Sequence, residues 1–150
     1  MTVSVVTEED IPYIAELERL CFSHPWSERA VGEELKNPLS VFFCIRREDG
    51  TPAAYGGVQC VAGEGYILNI GVHPDCRRRG YGGEILQALI DRAEKECDFI
   101  TLEVRASNTP AMAMYRKYGF EQVGRRKNLY DAPVEDGILM TRSFHCKKEI

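Results

Sequence analysis

The chain has 150 residues, 44% of them hydrophobic and 28% charged, and a formal net charge of −4. That length fits one domain of ordinary globular composition, which buries about 70% of its unfolded surface and needs no metal or disulfide to fold. The acidic balance excludes a general nucleic-acid or anionic-membrane binder, which would carry a basic footprint.

Taken in chain order, the elements alternate. Val3 to Val6 is a short strand. Thr7 with Asp10 makes a capping-box pattern, and Ile11, Ile14, Leu17 and Cys21 form an apolar stripe on the helix that follows. Ser27 caps a second helix, with Trp26 placed to staple onto Val31, and Pro38 ends it. Val41 to Ile45 is a strand closed by the turn Glu48-Asp49-Gly50. Ala53 to Val61 and Tyr66 to Val72 are two further strands around a Gly63-Glu64-Gly65 turn. Ile85, Leu86, Leu89, Ile90 and Ala93 then recur at helical spacing through Cys97. Phe99 to Val104 is a strand. Thr109 and Pro110 open a helix to Tyr118, with Thr109 as cap and Gly119 as stop. Glu121 to Arg126 and Ile138 to Ser143 are the last strands. No linker or repeat interrupts this, so residues 1–150 read as one α/β domain.

The cysteines Cys21, Cys44, Cys60, Cys76, Cys97 and Cys146 contain no Cys-x-x-Cys pair. The histidines His24, His73 and His145 have no ligand-like spacing to them, so the expectation is no metal site and no disulfide framework. MTVSVVTEEDIPYI lacks the basic region and apolar run of a signal peptide. No apolar stretch approaches the roughly 20 residues that span a bilayer. A cytoplasmic, reducing location follows as an expectation, with no membrane and no direct nucleic-acid partner.

RRRGYGG, residues 77–83, joins the end of a strand to the start of a helix. The first amides of a helix lack internal partners, and its dipole adds roughly half a positive charge there. Gly80 and Gly82 allow positive φ and a close approach of backbone to ligand. Arg77, Arg78 and Arg79 add charge at the rim. Together these make an anion cradle suited to phosphate. The Walker pattern is absent, and Ile85 stands where a dinucleotide fingerprint needs its third glycine. A glycine-rich surface turn with solvated arginines is the plainer alternative at this point.

The order Arg77-x-x-Gly80-x-Gly82 resembles the pyrophosphate loop of the GNAT superfamily of N-acetyltransferases, which bind acetyl-CoA. NTPAMAMYRKYGF, residues 108–120, resembles that family's second cofactor motif in Asn108, Tyr115, Gly119 and Phe120. CFSHPWS (21–27), TLEVRASN (101–108), GRRKNLY (124–130) and VEDGILM (134–140) resemble the RimI-type branch, whose members acetylate the N-terminal alanine of a bacterial small-subunit ribosomal protein. The likeness spans nearly the whole chain and is loosest over residues 38 to 65. Gly82-Gly83 departs slightly from the usual loop. The resemblance implies a GNAT fold, a mixed central β-sheet flanked by helices, with acetyl-CoA as cosubstrate and no metal. The implied partner is the N-terminal peptide of a basic ribosomal protein. A small-molecule amine or polyamine acetyltransferase is the alternative on the same fold. A non-enzymatic acetyl-CoA-binding module is a third, against which intact Glu103 and Tyr115 weigh.

The same resemblance distributes roles. Glu103 lies in Thr101-Leu102-Glu103-Val104-Arg105, on the opposite side of its strand from Leu102 and Val104. Its residue type alone suggests a solvated-face glutamate, whereas the family places its general base at this position. Tyr115, with an ordinary phenol pKa near 10, is implied as the acid that protonates the leaving thiolate. In the family, the strand ending at Ile70, Gly71 and Val72 pairs with the pantetheine arm, and an amide near Val72 polarises the thioester carbonyl. Tyr81, Gly82 and Gly83 complete the cradle. Asn108 reads as a contact to the CoA arm or as a helix cap, and Tyr118 as packing or a cofactor contact. His73 belongs to a turn, and Met112 and Met114 to packing. Cys76 beside the arginines lacks the histidine a thiol mechanism needs. The segments after Lys127 and around Pro25 are the expected acceptor walls, and Asp131, Glu135 and Asp136 are anionic contacts or solvated loop charges.

Overall fold

The computed structural model describes residues 2–144, so His145 and Cys146 lie outside the described residues. Seven strands form one sheet: β1 (Val3–Val5), β2 (Ser40–Arg46), β3 (Pro52–Val61), β4 (Glu64–Val72), β5 (Phe99–Arg105), β6 (Glu121–Tyr130) and β7 (Glu135–Ser143). The helices are α1 (Ile11–Cys21), α2 (Glu28–Leu35), α3 (Tyr81–Glu94) and α4 (Thr109–Lys117). The strand order is β1-β2-β3-β4-β5-β7-β6. The sheet is mixed, because β4 and β5 pair in parallel, Glu64–Tyr66 against Phe99–Thr101, while β5, β7 and β6 pair antiparallel. A parallel pair needs a long crossover, and α3 supplies it. Among the described residues no helix is long and apolar enough to cross a membrane.

The described residues form two compact units, one from residues 2–59 with Ile67–Arg92, the other from Cys60–Tyr66 with residues 93–144. In the first, the amide of Thr7 donates to the Asp10 carboxylate at 2.8 Å, as the capping pattern predicts. Ser27 caps α2, its hydroxyl accepting from the Ala30 amide at 3.1 Å. Ile14, Leu17 and Val31 then cluster with Val6, Phe42, Cys44 and Tyr55, with Trp26 at the rim. β3 is buried from Pro52 through Val58, as expected of a central strand. On α3, Ile85, Leu86, Leu89 and Ile90 are fully buried, which confirms the predicted stripe.

Helix and strand close tightly at Gly56. A Cβ there would lie 2.5 Å from Cγ2 of Ile85 and 3.3 Å from the Asn69 carbonyl oxygen. Gly56→Ala is therefore expected to cost about 1–3 kcal/mol, a fall in Tm of roughly 3–10 °C. Thermal unfolding of the variant checks this.

Several boundaries differ from the sequence expectation: β1 ends at Val5 rather than Val6, α3 at Glu94 rather than Cys97 and α4 at Lys117 rather than Tyr118, and three further differences have a clear cause. The β3–β4 turn is Ala62-Gly63, at φ +51° and +83°, rather than Gly63-Glu64-Gly65. A two-residue hairpin needs positive φ at both central positions, which frees Glu64 and Gly65 to join the strand. The cap of α4 is Asn108, not Thr109, with its side-chain oxygen accepting from the Ala111 amide at 3.3 Å. The final strands are longer than predicted, because hairpin pairing carries β6 to Tyr130 opposite Glu135, past the reach of apolar patterning.

Candidate active site

In the first unit, the elbow carries the features that an anion cradle requires. Gly80 sits at φ +82° with open space where a Cβ would be, and α3 begins at the next residue. The Glu84 amide returns to the Gly80 carbonyl at 3.1 Å, so the amides of Tyr81, Gly82 and Gly83 open the helix. Positive φ is thus a property of Gly80 and not of Gly82, which lies inside α3 with helical dihedrals. Tyr81 is buried, so only its backbone is available to a ligand. Arg78 adopts φ +67°, an uncommon conformation for a residue with a Cβ.

The three arginines divide. All three are exposed, and they differ in their contacts. Arg77 turns back: its Nε donates to the Val72 carbonyl at 3.1 Å, and its Nη2 lies 3.5 Å from Cys21 Sγ. The Cys21 thiol donates to the same carbonyl at 3.4 Å. The end of β4 is thereby locked to the elbow. A Cβ on Gly71 would press Tyr55 Cε1 at 3.0 Å, so packing already demands glycine there and leaves its backbone as the only contact it can offer. Arg78→Ala is expected to weaken binding of CoA more than of dephospho-CoA, whereas Arg77→Ala weakens both equally by loosening the elbow. Calorimetry with the two ligands separates these outcomes. His73 accepts the Asp75 amide on Nδ1 at 3.0 Å, which is the turn role expected of it. Cys76 and Met112 are buried.

A residue that sequence reasoning missed lies in this unit. Glu18, fully buried, accepts from the Trp26 amide at 2.9 Å, from Asn69 Nδ2 at 2.7 Å and from the Tyr55 hydroxyl. Burial pushes its carboxyl up, against the Trp26 and Asn69 hydrogen bonds. It ties the segment around Pro25 to β3 and β4. The available signal was position: Glu18 is four residues after Ile14, on the face of α1 that the stripe buries.

In the second unit, β5 alternates half-buried and buried positions, and Glu103 shares its more open face with Thr101 and Arg105. Its Oε2 accepts from Arg126 Nη1 at 3.0 Å. Tyr115 lies on α4 with its ring 5.9 Å from that of Phe120. Burial pushes its phenol up to about 12, with Tyr130 adding to the effect. Burial and the Glu103 carboxylate likewise raise Tyr130. Tyr130 therefore stands in the electrostatic reach of both residues assigned to the chemistry. Asn108 spends its Oδ1 on the α4 cap, and the Tyr118 carbonyl accepts from Arg142 at 2.9 Å. The acidic groups of the β6–β7 hairpin are engaged. Asp136 meets Arg125 at 2.7 Å and the Asn128 amide at 2.9 Å, and Glu135 meets Arg105 at 3.3 Å. Hydrogen bonds from Ser107, with Arg105 behind them, hold the Glu135 carboxyl below the usual range.

Residues 11–120 match the Acetyltransferase (GNAT) family. The ribosomal protein bS18-alanine N-acetyltransferase of Salmonella typhimurium is 35% identical over 143 residues, which are 93% of this chain and 95% of that protein. The crystal structure of the ribosomal-protein-S18-alanine N-acetyltransferase from Escherichia coli is similar at a TM-score of 0.88 and 33% identity, over 99% of this chain and 96% of the other. Arabidopsis thaliana NAA60 in complex with acetyl-CoA shares the fold at a TM-score of 0.86 and 18% identity, over 95% and 97% of the two chains. A helix-opening glycine elbow, a mixed seven-stranded sheet and relatives matched along nearly all of its length agree, and this chain belongs to the GNAT family of acetyltransferases.

Proposed function

We propose that this acetyltransferase moves the acetyl group of acetyl-CoA onto the N-terminal α-amine of a basic ribosomal protein that begins with alanine. Its relatives' activity, at 35% identity over 93% of the chain, supports the acceptor. The observation that carries the chemistry is Glu103, a carboxylate on the more open face of β5, in the same unit as Tyr115. The amine nitrogen attacks the thioester carbonyl, the N–C bond forms and the C–S bond breaks. The amine proton passes to Glu103, and the departing thiolate takes a proton from Tyr115. The Val72 amide receives the developing oxyanion. The elbow amides of Tyr81, Gly82 and Gly83, with Arg78 and Arg79, meet the phosphates. Ile70 and Gly71 line the pantetheine arm by their backbone, and Asn108 and Tyr118 border it. Residues 1–150 act as one catalytic domain in the cytoplasm, where the ribosomal acceptor is found.

An α-amine suits one carboxylate base, since it loses its proton about 2.5 pKa units more readily than lysine. The net charge of −4 also favours approach of a basic partner, an attraction that salt weakens. Three acceptors test this with radiolabelled acetyl-CoA: a basic peptide with N-terminal alanine, the same peptide N-blocked with an internal lysine, and a polyamine. kcat/KM is expected to be highest for the first and to fall with ionic strength. Preference for the polyamine would make this a small-molecule acetyltransferase.

Tyr115→Phe removes the proton donor and keeps the ring. kcat is expected to fall at least tenfold, within the usual ~10²–10⁴ range for a proton-transfer group or just short of it. A phenol pushed up to about 12 stays neutral across the assay range, so the variant should leave the pH profile below about pH 10 unmoved. The sign for stability follows from the same shift. The folded state holds the proton above the unfolded pKa near 10, so the contribution of Tyr115 is present below pH 10 and is lost as pH rises through 12. Unchanged kcat in the variant would leave Tyr115 a packing residue.

A further inference from the structure

We propose that Arg105 is a positioning residue for the acceptor: from β5 it holds the β6–β7 turn, residues 131–134, in the conformation that presents the acceptor amine to Glu103. This rests on the reading of Glu103 as base and of that turn as an acceptor wall. Arg105 is two residues beyond Glu103, so both side chains leave the same face of β5. Its guanidinium reaches across to the loop rather than to solvent. Nη1 donates to the Pro133 carbonyl at 2.9 Å and to the Glu135 carboxylate at 3.3 Å, and Nη2 donates to the Asp131 carbonyl at 2.9 Å. The cationic carbon lies 4.6 Å from the centroid of the Tyr130 ring.

The loop needs such a hold. Ala132 in the turn adopts φ +50°, and Asn128, at the irregularity in β6 that leads into it, adopts φ +55°, conformations that side-chain-bearing residues keep only when their surroundings fix them. Residues 131–134 are exposed, and Val134 is 67% exposed, so the loop offers its outer side while Arg105 grips its carbonyls from within. Glu135 extends the grip: its Oε2 accepts from the Ser107 amide at 2.5 Å, one residue before the Asn108 cap of α4. The same carboxylate thus fastens the loop to the start of the helix that carries Tyr115. The Arg105–Glu135 pair is 24% and 15% exposed, against 58% and 27% for Arg126–Glu103, so it is shielded enough for its geometry to matter. Lysine would keep the charge but not the fork that reaches two carbonyls and a carboxylate together.

The test varies peptide and acetyl-CoA separately for Arg105→Lys, Arg105→Gln and Glu135→Gln, with the alanine-starting basic peptide as acceptor and thermal unfolding in parallel. A positioning role predicts a rise in peptide KM of about tenfold to a hundredfold, the scale of a misplaced substrate. The KM for acetyl-CoA should be unchanged, and the preference for the peptide over a polyamine should narrow. Glu135→Gln is expected to move the same quantities in the same direction, and it decides the matter if an Arg105 variant does not fold. Folded variants that lose Tm but keep the wild-type peptide KM overturn the inference and leave the functional reading intact. A wild-type protein that transfers no acetyl group to the peptide sinks that reading and takes the inference with it.

Discussion

Glu103→Gln is expected to lower kcat by ~10²–10⁴-fold, the usual weight of a positioned general base. The substitution is well controlled by the geometry. Glutamine keeps the side-chain length and an oxygen that can accept from Arg126 Nη1, now 3.0 Å from Oε2, so the side chain stays in place while its capacity to take a proton is lost. The elbow is built from other residues, Gly80 through Gly83, so acetyl-CoA affinity should change little. Steady-state kinetics with calorimetry on the same preparation separate the two. Full turnover in the Gln variant would remove Glu103 from the chemistry and return it to the role its residue type alone suggests, a solvated strand carboxylate paired with arginine.

Gly80→Val is expected to reduce acetyl-CoA affinity by at least a hundredfold, about 2.7 kcal/mol. Two effects add. A β-branched residue at φ +82° is strained by roughly 1–2 kcal/mol or more, which pulls the elbow from its observed conformation. The new side chain also fills the space a phosphate would approach. The protein itself puts nothing within 4 Å of that Cβ, so the fold has no clash to absorb. Loss of binding with a Tm lowered by only a few degrees is therefore the expected pattern. A folded variant with wild-type affinity would refute the cradle. Gly82→Val carries a different expectation, because Gly82 lies inside α3 with helical dihedrals: close approach of a ligand is the only demand on it, and backbone strain plays no part.

Features encoded within a few residues were legible in the sequence. The Thr7–Asp10 pattern, the Ser27 cap, the stripe from Ile85 to Ile90 and the alternation around Glu103 each depend on spacings of two to four positions, the periods of strand and helix. The elbow was legible for the same reason, since glycine at the start of a helix is a local requirement. Its finer division was not: of the elbow glycines Gly80 alone has positive φ, because α3 begins one residue later and takes Gly82 into its first turn.

What only the tertiary structure decided are the partners of long polar side chains. Arg126 reaches Glu103, 23 positions away, because the sheet order places β7 between β5 and β6. Arg105 reads in the sequence as a neighbour of Glu103, yet it grips a loop 26 to 30 positions onward. Arg77 reads as a rim charge for phosphate, and its Nε also donates to the Val72 carbonyl, five positions back. Glu18 was not singled out in the sequence, and it is fully buried with three donors around it. The physical reason is common to all four. A flexible charged side chain has no periodicity of its own, and it settles where desolvation and available hydrogen-bond partners leave it, which the chain defines only once its strands are in order.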